Sequence, residues 1–587
     1  MSGFAARNRA RHGLTLGVAA LVVGVLLMGG TPGSAAATPA PGAGVTAVRV
    51  RAVGEDVHRA LAATGLDVVE HGLDWAEVWL HTPADVALLR DAGFTSWTTL
   101  STRRQAAQLT AQRAEEDRLA AALADDPSLA SELPTGRVSY RTLAEAEAEI
   151  RELAAQHPGL TRLIELPNRS LLGSPVLGVE IAHDVAAEDG RPTYLLTGMH
   201  HSREWPTVEL TLEFAWDVAR NQASDPRISS LLDRARLIIV PIVNPDGFDM
   251  SRSRIHEQKR KNCRIAPGQT PTREQCMSAA NANAGVDLNR NYGAFWSGPG
   301  SGRDPISENH YGEAPYSEPE IRNIAALTGA RQVTVAISNH TPDGRLLRAP
   351  SSSEEPVPAD VAVYDALAQQ LGAVTGWPAG PWPEIYYEAS GVAEQHAYYT
   401  AGTLAFTTEM TPGFSGLERF HPPYAAVIEQ YGGTGRYVGS HIREAFLVAW
   451  EAAADPARHG VLTATARPGS RLTLTKDLTV DSSCPLHPLY PQTRPAGLAG
   501  CPVAGTPPLV VVHHSPIRLA STMTVPADGA VAWHVNPSGR PNQLTSTTLD
   551  EAWTLTCTGP SGQTGPAIAV RVGRGQQVPV DLSTCPA

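Results

Sequence analysis

Three residues in the middle of the chain have the side chains and the placement to hold a divalent cation. His201 and Glu204 form an H-x-x-E within Met199-His200-His201-Ser202-Arg203-Glu204-Trp205. A turn at that spacing can aim an imidazole and a carboxylate at one ion. Catalytic zinc takes three protein ligands of this kind and keeps a position open for water. His200 competes for the first place but stands one residue off the H-x-x-E frame. His340 is the candidate third ligand, because it ends the apolar run Val-Thr-Val-Ala-Ile-Ser and opens the turn Thr341-Pro342-Asp343-Gly344. Taken alone, H-x-x-E is a common spacing, and a lone histidine at a strand end is more often structural.

Other segments add weight. Asn244-Pro245-Asp246-Gly247-Phe248 follows an apolar run and has strong turn chemistry. In Gly285-Val286-Asp287-Leu288-Asn289-Arg290-Asn291, Asn289 and Arg290 offer an amide beside a charged fork, which suits a carboxylate. Lys259, Arg260, Lys261 and Arg264 form a cationic run, a pattern usually seen on a solvated face.

These residues need elements to position them. From 138 to 454, helical periods alternate with β-branched runs, which predicts an α/β domain with a largely buried sheet. The strands read as L-T-R-L-I-E-L, V-L-G-V-E-I, T-Y-L-L-T-G, L-I-I-V-P-I-V, V-T-V-A-I-S and T-L-A-F-T-T. Helices begin near Leu143, Pro206, Glu318, Ala359 and Ala425, and Ser317-Glu318-Pro319-Glu320 reads as a capping box. The T-Y-L-L-T-G strand runs straight into the H-x-x-E segment and then a helix at Pro206, and a strand end feeding a helix is where α/β sheets place their sites.

In chain order, His201-Ser202-Arg203-Glu204-Trp205, N-P-D-G-F, D-L-N-R-N, the strand ending at His340, Tyr387-Glu388-Ala389-Ser390-Gly391 and F-T-T-E at Glu409 resemble the zinc metallocarboxypeptidase family that includes carboxypeptidases A, B and T. The resemblance implies an α/β/α catalytic domain with a mixed, about eight-stranded sheet. It implies one Zn2+ per chain held by His201, Glu204 and His340, with Asp287 orienting the first histidine. Glu409 matches the general base that takes a proton from zinc-bound water and passes it to the leaving amine. Arg260 matches the arginine that stabilises the oxyanion. Asn289, Arg290 and Tyr387, with Arg203 close by, match the clamp on the substrate's terminal carboxylate, which makes the enzyme act on peptide and protein C-termini. Glu394 falls where the family lines the pocket for the terminal side chain, and an acid there favours Lys or Arg. Val392, Ala393 and His396 depart from the usual residues around it.

On either side the texture differs. Residues 45–100 read strand, helix, strand, strand, helix, strand, a small split-βαβ domain. By resemblance this is a propeptide. Residues 101–137 read as a solvated connecting helix with arginines open to a trypsin-like activating protease. Residues 459–587 read as a separate all-β module, a small sandwich. At the front, Arg7, Arg9, Arg11 and His12 precede an apolar run and the small residues Ser34-Ala35-Ala36-Ala37, the order of a secretory signal peptide over 1–37. Six cysteines suit a secreted chain, and the sequence does not choose their pairing, although Cys263 and Cys276 bracket a short polar loop. A formal net charge of −12 argues against a nucleic-acid binder. No later segment approaches about 20 unbroken apolar residues, so no membrane span is expected after signal removal. Two other readings are a zinc peptidase of this fold acting on cell-wall peptides and a catalytically dead binding protein. The second conflicts with the presence of all four of His201, Glu204, His340 and Glu409.

Overall fold

The computed structural model describes residues 46–53, 57, 60–61, 64, 66–71, 74–80, 82–305, 307–483 and 513–586. The expected signal peptide over 1–37, together with Cys484 and Cys501, lies outside the described residues.

Strands β1 (Thr46–Arg51), β2 (Asp67–His71), β3 (Trp75–Leu80) and β4 (Trp97–Ser101) form an antiparallel sheet in the order β2-β3-β1-β4. The second helix of this unit, Pro83–Asp91, starts where Thr82 and Asp85 cap each other. Alternation splits the sheet's two faces. Val48, Val50, Ala76 and Val78 face a small core with Leu61 and Leu89. Ala47 and Trp79 face the other way, and pack with Leu417 and Phe420 far along the chain. The connecting helix Arg103–Leu123 joins that second cluster through Ala106 and Leu109. The sequence suggested that its arginines lie open to a trypsin-like protease. Arg113 is instead buried, paired with Glu257 and bonded to the carbonyl of His421.

The central sheet has eight strands: β5 (Thr161–Glu165), β6 (Leu177–Ile181), β7 (Thr193–Thr197), β8 (Arg236–Val240), β9 (Val333–His340), β10 (Arg345–Arg348), β11 (Ala379–Pro381) and β12 (Leu404–Glu409). Their order is β11-β10-β12-β9-β7-β8-β6-β5. The middle four, β12, β9, β7 and β8, run parallel, while β10, β6 and β5 provide antiparallel neighbours. β6 to β9 and β12 are buried along their full length, because helices cover both faces. Two strands escaped the sequence reading, β10 and β11, at four and three residues. Helices Pro226–Arg234, Ala393–Ala401 and Ile442–Ala454 also escaped it.

The capping box at Ser317 does not form. The helix Pro319–Ala330 starts from Glu318, whose amide donates to Asn291 Oδ1 at 3.0 Å. The Ser317 amide that Glu320 would have reached donates instead to the carbonyl of Ala314, and Glu320 stays buried.

Among the described residues beyond 459 the strands form three further sheets, of three, four and two strands. The module is all-β as expected, but it is not a tethered bead. Its buried residues, among them Leu472, Leu474, Trp533 and Trp553, belong to the same apolar cluster as the helices under the central sheet. Asn536 Nδ2 donates to the carbonyl of Val333, and the Arg574 guanidinium donates to Asp360 and to the carbonyls of Arg458 and Gly402. Gly190 lies so close to the module that a Cβ there would sit 2.4 Å from the Ala532 oxygen. Two disulfides, Cys263–Cys276 and Cys557–Cys585, join described residues.

Candidate active site

The four parallel strands end along one edge of the sheet, and the chemistry-bearing residues gather there. The chain leaves β7 through Gly198 and Met199. Met199 has φ 55°, a left-handed conformation that costs a non-glycine residue about 1–3 kcal/mol. That reversal brings His201 and Glu204 back over the strand ends, before the helix Pro206–Asn221 begins at Pro206. His340 is the last residue of β9, and Glu409, the last of β12, is its direct partner in the parallel register.

Three donor groups converge. His201 Nδ1 lies 2.8 Å from Glu204 Oε1, and His340 Nδ1 lies 3.0 Å from both His201 Nδ1 and Glu204 Oε2. Among the described residues this is the one group of three or more such side chains close enough to share an ion. Burial pushes the His201 imidazole down to about 4 and that of His340 to about 3, and the Arg260 charge adds to both effects. Both rings are therefore neutral near pH 7, with lone pairs free to bind a cation. Two imidazole nitrogens and a carboxylate oxygen suit zinc.

Asp287 sets the tautomer. Its Oδ1 lies 3.0 Å from His201 Nε2 and accepts the Asn289 amide at 2.9 Å. The proton is thereby held at Nε2, and Nδ1 is left to face the cluster. Burial alone would raise the Asp287 carboxyl, but Arg260, His201 and Arg290 together hold it well below its ordinary range. Arg260 donates to Asp287 Oδ2 from Nη2 at 2.7 Å and from Nε at 3.1 Å, with Nη1 3.9 Å from Glu204 Oε1. The cationic run of the sequence is thus no solvated face, since Lys259, Arg260 and Lys261 all turn inward.

His200, the competing ligand, points elsewhere. Its Nε2 meets the Tyr292 hydroxyl at 2.8 Å and its Nδ1 meets Ser338 Oγ at 3.2 Å. The N-P-D-G segment is more than a turn. Asn244 caps the helix Pro245–Arg252 and donates from Nδ2 to the His200 carbonyl and to Ser202 Oγ, bracing the His201 loop. A Cβ on Gly247 would meet Ser202 Oγ at 2.1 Å. The turn signal marked this segment, but its bracing role depends on contacts 42 and 44 residues away.

The remaining candidates surround this centre. Asn289 Nδ2 lies 3.4 Å from His340 Nε2, and its Oδ1 accepts the Ala393 amide. Arg290 is buried, donates to the carbonyls of Gly300 and Asn289, and lends its charge to Asp287 and His340. Arg203 pairs with Glu308 at 3.0 Å and lies 4.3 Å over the Phe420 ring. The Tyr387 ring lies 4.2 Å from that of Tyr386, tilted by 36°. Glu394 is buried in the first turn of helix Ala393–Ala401, accepting from Ser351 Oγ at 3.0 Å and from Thr407 Oγ1 at 2.8 Å. Burial raises its carboxyl above the ordinary range. His396 bonds Tyr316 and Thr328 on the far side of that helix.

A second acid went unnoticed in the sequence. Glu355 accepts the amides of Ser351 at 2.6 Å and Ser352 at 2.9 Å, and burial, with Glu394 nearby, raises it to about 8. It lies in Ser351-Ser352-Ser353-Glu354-Glu355, a stretch with no period to signal burial.

Residues 146–434 match the sequence model of the family described as zinc carboxypeptidase. Carboxypeptidase A2 of Rattus norvegicus is 28% identical over 280 residues, 46% of this chain and 62% of that protein. A metallocarboxypeptidase A of Trichophyton rubrum is 30% identical over 222 residues, covering 36% of this chain and 49% of that protein. The chain thus spans less than two thirds of the length of each. The crystal structure of a carboxypeptidase A from Helicoverpa armigera superposes with a TM-score of 0.55 at 21% identity, over 71% of this chain and 98% of that one, which shows the shared fold.

Proposed function

We infer that this chain, which belongs to the zinc carboxypeptidase family, is a secreted exopeptidase that hydrolyses the last peptide bond of peptides and proteins. The observation that carries the reading is the convergence of His201 Nδ1, Glu204 and His340 Nδ1, with Asp287 and Arg260 in contact behind them. Zinc held by those three residues, one ion per chain, supplies a Lewis acid that polarises a carbonyl and acidifies water. The chain's own residues do the rest. Asp287 keeps the His201 proton on Nε2. The Arg260 guanidinium faces the charge that develops on the carbonyl oxygen. The Glu409 carboxylate takes a proton from the attacking water and returns it to the leaving nitrogen. Asn289, Arg290 and Tyr387, flanked by Arg203, hold a terminal carboxylate, so only a free C-terminus fits. Buried Glu394 favours a basic terminal side chain.

In the same reading the chain is made with a signal peptide (1–37) and as a proenzyme. Residues 45–100 form its prodomain, 101–137 its connector, 138–454 its catalytic domain and 459–587 an appended β module. Contacts of the first sheet support a covering role. Trp79 and Ala47 pack on Leu417 and Phe420, and Phe420 carries the Arg203 guanidinium on its other contacts. Glu77 of β3 lies 3.5 Å from Arg419, which also holds Asp343, three residues after His340.

The test is release of terminal amino acids from a peptide panel by protease-treated protein, each peptide with a free or an amidated end, with and without a zinc chelator. Chelator-sensitive release from free ends alone is expected. Zinc-loaded protein that releases nothing from any free end would overturn the reading.

A further inference from the structure

Resting on the proenzyme reading, we propose that activation cuts the chain within 124–132, and that the activating protease reads small, acidic or leucine side chains rather than arginine or lysine. Water adds across one peptide bond there, leaving a carboxylate on the prodomain and a new amino terminus on the catalytic part.

The argument is one of access. A protease needs its substrate segment as an extended strand, so several residues on each side of the bond must leave the surface. Residues 124–130 are all exposed. Their backbone bonds are local: the Asp125 and Asp126 amides reach Ala122, that of Leu129 reaches Asp126 and that of Ala130 reaches Pro127. This stretch can therefore open with the loss of a single backbone bond to a neighbouring segment, that of the Ser131 amide to the Gly136 carbonyl. It reads Ala124-Asp125-Asp126-Pro127-Ser128-Leu129-Ala130-Ser131-Glu132 and holds no arginine or lysine.

The basic residues nearby are each tied to structure. Arg103 and Arg104 form the first helical turn, held by the Thr102–Gln105 capping box, next to Ser101, whose Oγ accepts the Leu417 amide. Arg113 is buried against Glu257 and the Trp205 ring. Arg118 is exposed, but it sits within the helix beside Asp117, which pairs with Arg252 and Arg254. Arg137 bonds Glu149 and lies 3.4 Å from Glu145, just after Thr135, whose amide and hydroxyl both donate to Glu213. The tightly held stretch begins at Leu133, which is buried.

The full chain, treated with subtilisin or with trypsin at equal ratios and then quenched with a serine-protease inhibitor, tests this. New amino termini are read by mass spectrometry, and release of C-terminal residues from peptides is read in parallel. Subtilisin should cut within 124–132 and raise peptide hydrolysis, with trypsin at least about tenfold slower on the same chain, because its sites must first unfold locally. Leu129→Arg should bring the trypsin rate up to that of subtilisin. Activation of the unaltered chain by trypsin at the same rate, with a new terminus at Gln105, Leu119 or Val138, would overturn the proposal and leave the proenzyme reading standing. An uncut chain already as active as one cut within 124–132 would remove the proenzyme reading itself.

Discussion

Replacing Asp287 by asparagine isolates the part that charge behind the cluster plays. Asp287 Oδ1 faces His201 Nε2 at 3.0 Å while Oδ2 takes Arg260 Nη2 at 2.7 Å, so both oxygens must accept. An amide keeps the shape but offers one oxygen and one donor group. If its oxygen stays with His201, its NH2 group meets the Arg260 guanidinium, donor against donor. The nearest other acid to Arg260 is then Glu204 Oε1, 3.9 Å from Nη1. If it flips, His201 loses the partner that fixes its tautomer. Either way the imidazole loses a charged acceptor, and removing such a partner typically weakens metal binding by about 10–100-fold, or roughly 1.4–2.8 kcal/mol. Peptide hydrolysis titrated against buffered free zinc reads this directly. The half-activation point should move to about 10–100-fold higher zinc in Asp287→Asn, with activity recovering in part when zinc is in excess. Thermal melts of the metal-free forms control for folding. A half-activation point within about twofold of the unaltered protein would refute the reasoning.

Four further outcomes are expected. Glu409→Gln should lower kcat by about 10²–10⁴ while zinc content stays unchanged, since it removes a proton carrier and no proposed ligand. Glu394→Gln should abolish any preference for Lys or Arg at the substrate's end, seen as a changed ranking of kcat/KM across the peptide panel. Metal-free protein should lose stability as pH falls from about 6.5 towards 4. His201 (about 4) and His340 (about 3) bind protons less readily folded than unfolded, so acid favours the unfolded chain, and urea midpoints across that window measure it. Arg141→Met should destabilise the fold by about 3–5 kcal/mol in urea unfolding, because Glu209 and Glu213 would be left buried without the guanidinium that bonds them both.

Much of the fold was legible locally. Six strands of the central sheet announced themselves as short β-branched runs, and residues 45–100 carried the runs of all four strands of the first sheet. β10 and β11 were not legible, because Arg345–Arg348 and Ala379–Pro381 are too short to carry a period and owe their pairing to neighbours. The burial of the cationic run around Arg260 was not legible for a related reason. Its composition describes a surface, yet the carbonyls of Ala284, Pro305 and Ser307 and the carboxylate of Asp287 are brought up around it by distant segments.

The sequence by itself determined which groups are available and how short stretches orient them. The H-x-x-E turn, the Thr82 cap and the N-P-D-G turn depend on interactions within a few residues, and the apolar run that ends at His340 marks itself as a strand. The tertiary structure decided which groups meet. His340 reaches Glu204 across 136 residues and Asp287 reaches His201 across 86, because β9 and β7 pair in one buried sheet and the loops above them pack together. It also chose His201 over His200 and drew the β module into the main core. Such choices rest on burial and shared partners, which accumulate over the whole folded chain and leave no mark at any single position.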